Sequence, residues 1–250
     1  MQTFGKYATN FDLEYLVEHY IYINEKDENN QDILISTQEL EAMLKKRRKH
    51  IAGTIFLFNP HIAPKGYNLK TRLAEQGFEF EDEFVELDPN DEMNVIARAT
   101  KENYKGKLIE IKYLFNYNRE DLEKNQFLLE ELHKDIDKLR SNQLTRHDKE
   151  LNYHDYLNMR YNGKFIFFAH GHKFDQEFKN ILYYAQNISM QAQKTGKTIA
   201  FVHDRNYDPD ECIEIVYYLS PVANGKMKDV RANAFMKAFS SVPPTIQRIN

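Results

Sequence analysis

The sequence predicts a mixed α/β protein whose central sheet is partly antiparallel and partly parallel, with helices flanking it. Apolar residues recur at helical spacing in several stretches, and runs of β-branched and aromatic residues lie between them. The last hundred residues follow the order strand, helix, strand at the lengths of a parallel crossover. A hydrophobic fraction of 42% over 250 residues, with only 9 Gly and 7 Pro, excludes a disordered or low-complexity chain.

The composition excludes several classes of function. The single cysteine, Cys212, rules out an internal disulfide and a thiolate zinc site. The glycine-rich phosphate loops of ATPases and dinucleotide enzymes do not occur, and neither does the G-x-S-x-G elbow of many serine hydrolases. The remaining candidates for chemistry rest on carboxylates, histidines and lysines.

Charge and hydropathy limit the location and the partners. The net charge is −4 at pH 7, so any binding of nucleic acid must come from a local basic patch. No apolar run approaches the ~18 residues of a membrane span, and the N-terminal stretch lacks the apolar core of a secretory signal. We therefore expect a cytoplasmic protein with no membrane partner.

The first predicted element is a helix capped by Thr9 or Asn10. Its apolar residues recur with the period of one buried helical face: Leu13, Leu16, Val17, Tyr20 and Ile21. The polar stretch 24–32 has nothing to bury and predicts an exposed loop. Ser36 and Glu39 then form a capping-box pattern, which predicts a second helix.

The middle of the chain predicts four strands and one short helix. Residues 51–60 form a β-branched and aromatic run that ends at a proline, which predicts a buried strand. A short helix is expected at 68–76. The segments 78–87, 93–99 and 107–115 follow as strands of a predicted antiparallel meander.

A long helix is predicted from 118 to about 140, where leucine and isoleucine recur at near-heptad spacing. Core packing is the usual meaning of such a stripe, and a dimeric coiled coil is the alternative. The polar segment that follows is a connector. It divides the chain into 1–150 and 151–250, two parts that can also pack as one domain.

The C-terminal part predicts a strand at 164–169, a helix at 175–194 and a second strand at 197–203. A strand, a helix and a strand of these lengths form a right-handed crossover between two parallel strands. A final amphipathic helix is expected at 226–239.

Glu110 and Lys112 are the first candidates for chemistry. In a strand they point to the same face, because the side-chain period is two. With an acid from the neighbouring strand, they would make an oxygen-ligand site for Mg²⁺ beside a lysine. Phosphodiester hydrolysis can use that set. The alternative interpretation is an ion pair on a half-exposed strand, which contributes little stability.

These residues also resemble a known family. Asp91 follows Pro89 and Asn90, and Glu110 and Lys112 flank Ile111 nineteen residues later. This pattern resembles the PD-(D/E)xK nuclease superfamily. The resemblance implies a metal-dependent nuclease acting on DNA, with Asp91 and Glu110 as Mg²⁺ ligands and Lys112 beside the attacking water.

The chain departs from that family at one position. Many members open the second strand of the motif with the metal-binding aspartate, and here Asn94 stands in the corresponding place. Asp91 or Glu92 would then have to substitute from the turn, or the site is degenerate and inert. In the active form of the site, Glu75 or Glu92 would complete the coordination sphere. The departure favours the alternative function, a non-enzymatic nucleic-acid or protein interaction module on a degenerate nuclease scaffold.

A second candidate site lies at the ends of the predicted parallel strands. His170 and His172 follow one strand, and His203 and Asp204 end the next. The carboxyl ends of parallel strands are where open sheets bind ligands. Imidazoles and a carboxylate there suit a transition metal or general acid–base chemistry. The alternative is that His170 caps the following helix or donates to a loop carbonyl.

The third candidate is a run of cations at the end of the second predicted helix. Its members are Lys45, Lys46, Arg47, Arg48 and Lys49. Such a run can neutralise nucleic-acid phosphates, which makes it the predicted nucleic-acid contact. The alternative is a solvated helix end, because cations suit a helix C-terminus.

Overall fold

The computed structural model describes the three long stretches 1–10, 13–57 and 83–113, together with shorter pieces of the rest of the chain. The shorter pieces are residues 130, 134, 137, 138, 141, 143, 163, 165–169, 198–201, 232, 233 and 236. The strands are β1 (Gln2–Asn10), β2 (Leu13–Ile23), β3 (Ile51–Leu57), β4 (Phe84–Glu86), β5 (Lys107–Tyr113), β6 (Phe165–Phe168) and β7 (Thr198–Phe201). The helices whose bounds are described are α1 (Thr37–Lys45), α2 (Arg47–His50) and α3 (Asp91–Thr100).

The seven described strands lie in one mixed sheet with the order β4-β1-β2-β5-β3-β6-β7. Neighbours are antiparallel from β4 to β5 and parallel from β5 to β7. The predicted mixed α/β class is therefore confirmed. Strands from before and after residue 150 share this sheet, while the proposed boundary itself lies outside the described residues. Within the described part of the chain, no helix has the length and apolar character needed to cross a membrane.

The predicted opening helix is wrong, because β1 and β2 form an antiparallel hairpin. The end of β2 is buried on both faces of the sheet. Tyr20 and Tyr22 belong to one core, and Ile21 and Ile23 belong to the other. A strand buried on both sides loses its polar alternation, so its apolar residues also fit helical spacing.

The predicted strand at 93–99 is also wrong, because these residues belong to α3. The Asn90 side chain caps this helix by accepting a hydrogen bond from the Met93 backbone N–H at 2.9 Å. Met93, Ile96 and Thr100 are buried at the spacing of one helical face. The predicted meander therefore does not form. Instead, β5 lies between antiparallel β2 and parallel β3.

Several local predictions are confirmed. Ser36 and Glu39 make both hydrogen bonds of a capping box at the start of α1. All residues of β3 are buried, as the apolar run predicts, and β5 begins at the predicted residue Lys107. The loop that follows Asn24 is exposed through residue 34.

Other predictions are tested only in part. Of the predicted strand 78–87, only β4 and its neighbours are described, and the predicted helix at 68–76 lies outside the described residues. The described residues of the two later predicted helices are helical: Glu130, Lys134, Asp137, Lys138, Ala232, Asn233 and Met236. The predicted crossover strands β6 and β7 are parallel neighbours, while the helix predicted between them lies outside the described residues.

The two faces of the sheet carry separate hydrophobic cores, and alternate residues of β5 belong to one core or the other. Leu108 packs with Leu40 and Leu44 of α1, and we call this side the α1 face. Ile109 and Ile111 belong to the core that contains the buried residues of α3, and we call this side the α3 face. Because β5 side chains alternate, Glu110 and Lys112 lie on the α1 face with Leu108.

Gly163 permits a close approach of two backbones and gives a testable prediction. Its φ is +79°, and an added Cβ would lie against the Ala52 carbonyl group and 2.6 Å from the Gly53 nitrogen. We expect Gly163→Ala to lower the free energy of unfolding by about 2 kcal/mol or more, from the left-handed conformation and from the displaced β3 backbone. Urea denaturation measures this change.

Gly106 offers a matched control, because its φ is +68° but its added Cβ would meet the flexible Glu25 side chain. We expect Gly106→Ala to lose about 1 kcal/mol, since the Glu25 side chain can move away. Equal losses for the two variants would contradict the backbone contact at Gly163.

Candidate functional site

Glu110 and Lys112 form an ion pair in the middle of the sheet. Lys112 Nζ lies 3.3 Å from Glu110 Oε1, and their side chains are 14% and 2% exposed. Glu110 is paired with Thr54 of β3, whose hydroxyl donates a 2.9 Å hydrogen bond to Glu110 Oε2. Both carboxylate oxygens therefore have partners. We call Thr54, Glu110 and Lys112 the Glu110 cluster.

The structure does not bring Asp91 to the Glu110 cluster. Asp91 is the first residue of α3 and is exposed. This helix packs Met93 and Ile96 into the core of the α3 face, whereas Glu110 lies on the α1 face. The sheet therefore separates the two carboxylates that the nuclease resemblance places around one Mg²⁺. Among the described residues, no three His, Cys, Asp or Glu side chains are grouped so as to hold a metal ion.

The other proposed carboxylate ligands do not supply the second oxygen donor. Glu92 also lies on α3, and burial of its carboxyl group raises the pKa to about 7. A carboxyl group with that pKa is partly protonated at neutral pH and is a weaker metal ligand. Asn94 is exposed on α3. It therefore lies in a helix, whereas the resemblance to the nuclease family predicts that it begins a strand. Glu75 lies outside the described residues.

The predicted basic run, residues 45–49, is joined by a further lysine from a distant part of the chain. Lys45 ends α1, Lys46 is its C-cap, and Arg47, Arg48 and Lys49 belong to α2. The Lys107 ammonium at the start of β5 donates a 2.8 Å hydrogen bond to the Lys49 carbonyl oxygen. Burial lowers the pKa of the neighbouring His50, and the positive charges of Lys107, Lys46 and Lys49 lower it further.

These groups form what we call the lysine cluster: Lys46, Lys49, His50 and Lys107. Within the part of the chain that the structure describes, no carboxylate forms an ion pair with any of them. The cluster lies where β3 and β5 begin, whereas Lys112 is near the end of β5. Five residues of strand place Lys107 and Lys112 roughly 17 Å apart. The predicted nucleic-acid contact and the Glu110 cluster are therefore separate sites.

A buried polar triad on the α3 face was not predicted from the sequence. The Thr3 hydroxyl lies 2.7 Å from His19 Nε2, and the Tyr113 hydroxyl lies 2.6 Å from His19 Nδ1. All three residues are buried, and burial lowers the pKa of His19 to about 3. The imidazole is therefore neutral and held between two hydroxyls. The sequence does not predict these contacts, because the incorrectly predicted helix over residues 13–21 places no neighbouring strands beside His19.

The predicted histidine site lies outside the described residues, so it stays a prediction. Its members are His170, His172, His203 and Asp204. The described backbone places the strands that lead to them side by side, since Phe168 of β6 is paired with Phe201 of β7. Ala169, which precedes His170, donates a backbone hydrogen bond to the Phe56 carbonyl at 2.8 Å.

Comparisons with protein-family models, with curated proteins and with solved structures found no match. The likeness to PD-(D/E)xK nucleases therefore depends on the motif residues alone. Of these, the geometry brings Glu110 and Lys112 together and leaves Asp91 on the other face of the sheet. The Glu110 cluster and the lysine cluster are therefore the two candidate functional sites.

Proposed function

We propose that this chain is a cytoplasmic, non-enzymatic module that binds nucleic acid through the lysine cluster. The observation that carries the proposal is the hydrogen bond from Lys107 to the Lys49 carbonyl, because it brings a cation from β5 into the basic run. Lys46 and Lys49 are exposed and, among the described residues, have no carboxylate partner. Such a cluster favours a polyanion, since each neutralised phosphate releases counterions.

The alternative interpretation, a solvated helix end, explains only part of this arrangement. Lys45 and Lys46 at the end of α1 suit the negative end of the helix dipole. Lys107 is 58 residues from Lys49 in sequence and belongs to a strand, so the helix dipole does not account for its position. The gathering of like charges lowers stability unless an anion compensates for it. A bound phosphate backbone supplies that compensation.

Salt-dependent binding tests the proposal. We expect labelled single-stranded or duplex oligonucleotides to bind with an affinity that falls as salt rises. Lys49→Gln and Lys107→Gln are each expected to reduce the slope of log K against log salt by about 1. Lys6→Gln is the matched control, because Lys6 lies over the Phe84 ring between β1 and β4, away from the cluster. Fluorescence anisotropy at several salt concentrations measures the slopes.

Absence of binding at low salt, or equal losses in Lys6→Gln and the two cluster variants, would contradict the proposal. Equal losses would indicate a diffuse electrostatic attraction rather than a contact at this cluster. Binding of comparable strength to an unrelated polyanion such as dextran sulfate would show that charge alone is recognised.

A metal-dependent nuclease that acts on DNA is the second candidate function. The ion pair of Glu110 and Lys112 favours a nuclease, because Lys112 lies near the carboxyl end of β5, at the edge of the sheet where the parallel strands end. Open sheets place their ligands at that edge. In this proposal Glu110 is a Mg²⁺ ligand, and Lys112 positions a water or offsets charge on a phosphate. The Mg²⁺ cofactor and the DNA substrate are both proposed together with this function.

Plasmid cleavage with Mg²⁺ or Mn²⁺ separates the two functions. If the chain is a nuclease, we expect Glu110→Gln to lose cleavage, whereas Asp91→Asn retains it because Asp91 lies across the sheet. Each variant needs a thermal melt, since Glu110 is buried. Salt-sensitive binding without cleavage supports the binding module. Loss of cleavage in a folded Asp91→Asn variant would contradict the placement of Asp91 outside the site.

A further inference from the structure

His50 lies between the lysines of the helical segment, Lys46 and Lys49, and the lysine at the start of β5, Lys107. It is the last residue of α2, and the next residue, Ile51, is paired with Leu108, which follows Lys107. His50 is half-buried, whereas Lys46 and Lys49 are exposed. Among the described residues, the charged groups that face it come from three elements: Lys46 from the end of α1, Lys49 from α2 and Lys107 from β5, whose ammonium reaches the Lys49 carbonyl. All three are positive.

We propose that His50 and the three lysines form one phosphate-binding site, in which His50 contacts a backbone phosphate of the nucleic acid as the protonated imidazolium. This inference rests on the proposed function. Binding at this site takes up one proton, so the affinity for nucleic acid rises as the pH falls. The site therefore couples nucleic-acid binding to pH.

The electrostatics of the cluster explain this coupling. In the free protein, burial and three ammonium groups hold the pKa of His50 below its usual value of 6.5. A phosphate placed among the lysines reverses the sign of the local potential and stabilises the imidazolium. The imidazolium also offers an N–H donor to the phosphate oxygen, a charge-assisted hydrogen bond. Of the side-chain types in this cluster, the imidazole is the one whose charge ordinarily changes between about pH 5.5 and 7.5, so His50 is the group that responds.

The dissociation constant of a labelled oligonucleotide at two pH values tests the inference. At constant ionic strength, we expect the wild type to bind about tenfold more tightly at pH 5.5 than at pH 7.5, from uptake of about one proton. In His50→Gln the gain should fall to about twofold or less, because glutamine does not titrate. His50→Arg should bind at both pH values about as tightly as the wild type at the lower pH, because arginine is always charged.

The outcomes separate this inference from the function on which it rests. No binding by the wild type at either pH overturns the proposed function. Binding with the same pH dependence in the wild type and in His50→Gln overturns the role of His50 alone. Calorimetric titration in two buffers of different ionisation enthalpy gives a second readout, the number of protons taken up. A thermal melt of each variant shows whether it is folded.

Discussion

Replacement of Lys112 by methionine is expected to lower the free energy of unfolding by about 3–5 kcal/mol, the cost of removing one partner of a buried ion pair. Glu110 is 2% exposed, and the ammonium of Lys112 lies 3.3 Å from it. Without Lys112, Thr54 is the partner that the cluster still provides, and one hydroxyl does not neutralise a buried carboxylate. Urea denaturation at neutral pH measures the loss.

The double variant Glu110→Gln/Lys112→Met provides the matched control. It removes both charges, and the amide of glutamine can still accept the hydrogen bond of Thr54. We expect most of the lost stability to return, because replacing a whole buried ion pair with neutral groups is often neutral or stabilising. A loss of less than about 1 kcal/mol in the single variant would mean that the pair behaves as a surface ion pair.

This expectation changes how a cleavage experiment must be interpreted. A variant that lacks Glu110 or Lys112 loses stability whether or not these residues act on a substrate. Loss of cleavage alone therefore does not distinguish catalysis from unfolding. Activity must be measured where the variant is folded, as judged by its own unfolding curve, and compared with the double variant.

The sequence predicts the parts of this fold that depend on neighbouring residues. The capping box of Ser36 and Glu39 and the apolar run of β3 are local signals, and both elements form as expected. The segments 13–23 and 91–100 carry mixed signals. In the first, burial on both faces imitates helical spacing, and in the second the cap provided by Asn90 outweighs the strand propensity of valine and isoleucine.

The candidate sites were harder to predict than the elements, because they depend on the pairing of distant strands. The shared face of Glu110 and Lys112 follows from the strand period, and the structure forms that pair. The contacts of Thr54 with Glu110 and of Lys107 with Lys49 both require parallel β3 and β5, which no local pattern specifies. The position of Asp91 across the sheet follows from α3, where the sequence predicts a strand over 93–99.

Acid is expected to destabilise the protein through His19, beginning near pH 6.5, which is above the pH at which most carboxylates titrate. Burial lowers the pKa of His19 from 6.5 to about 3 in the folded protein. Between these two values the unfolded chain binds a proton at His19 that the folded chain does not. The contribution of the neutral, buried His19 to stability is therefore fully present above pH 6.5. Between pH 6.5 and 3 this contribution falls by up to about 1.4 kcal/mol per pH unit.

The triad offers two variants that isolate this effect. His19→Gln removes the titrating ring, so its stability should fall less than that of the wild type as the pH drops from 6.5 to 3, even if it is less stable at neutral pH. Tyr113→Phe removes one hydroxyl partner, at a cost of about 1–2 kcal/mol, but keeps the buried imidazole and therefore the acid sensitivity. Urea denaturation across this pH range measures each slope. If the slope is the same in His19→Gln and the wild type, the buried imidazole is not the source of the acid sensitivity.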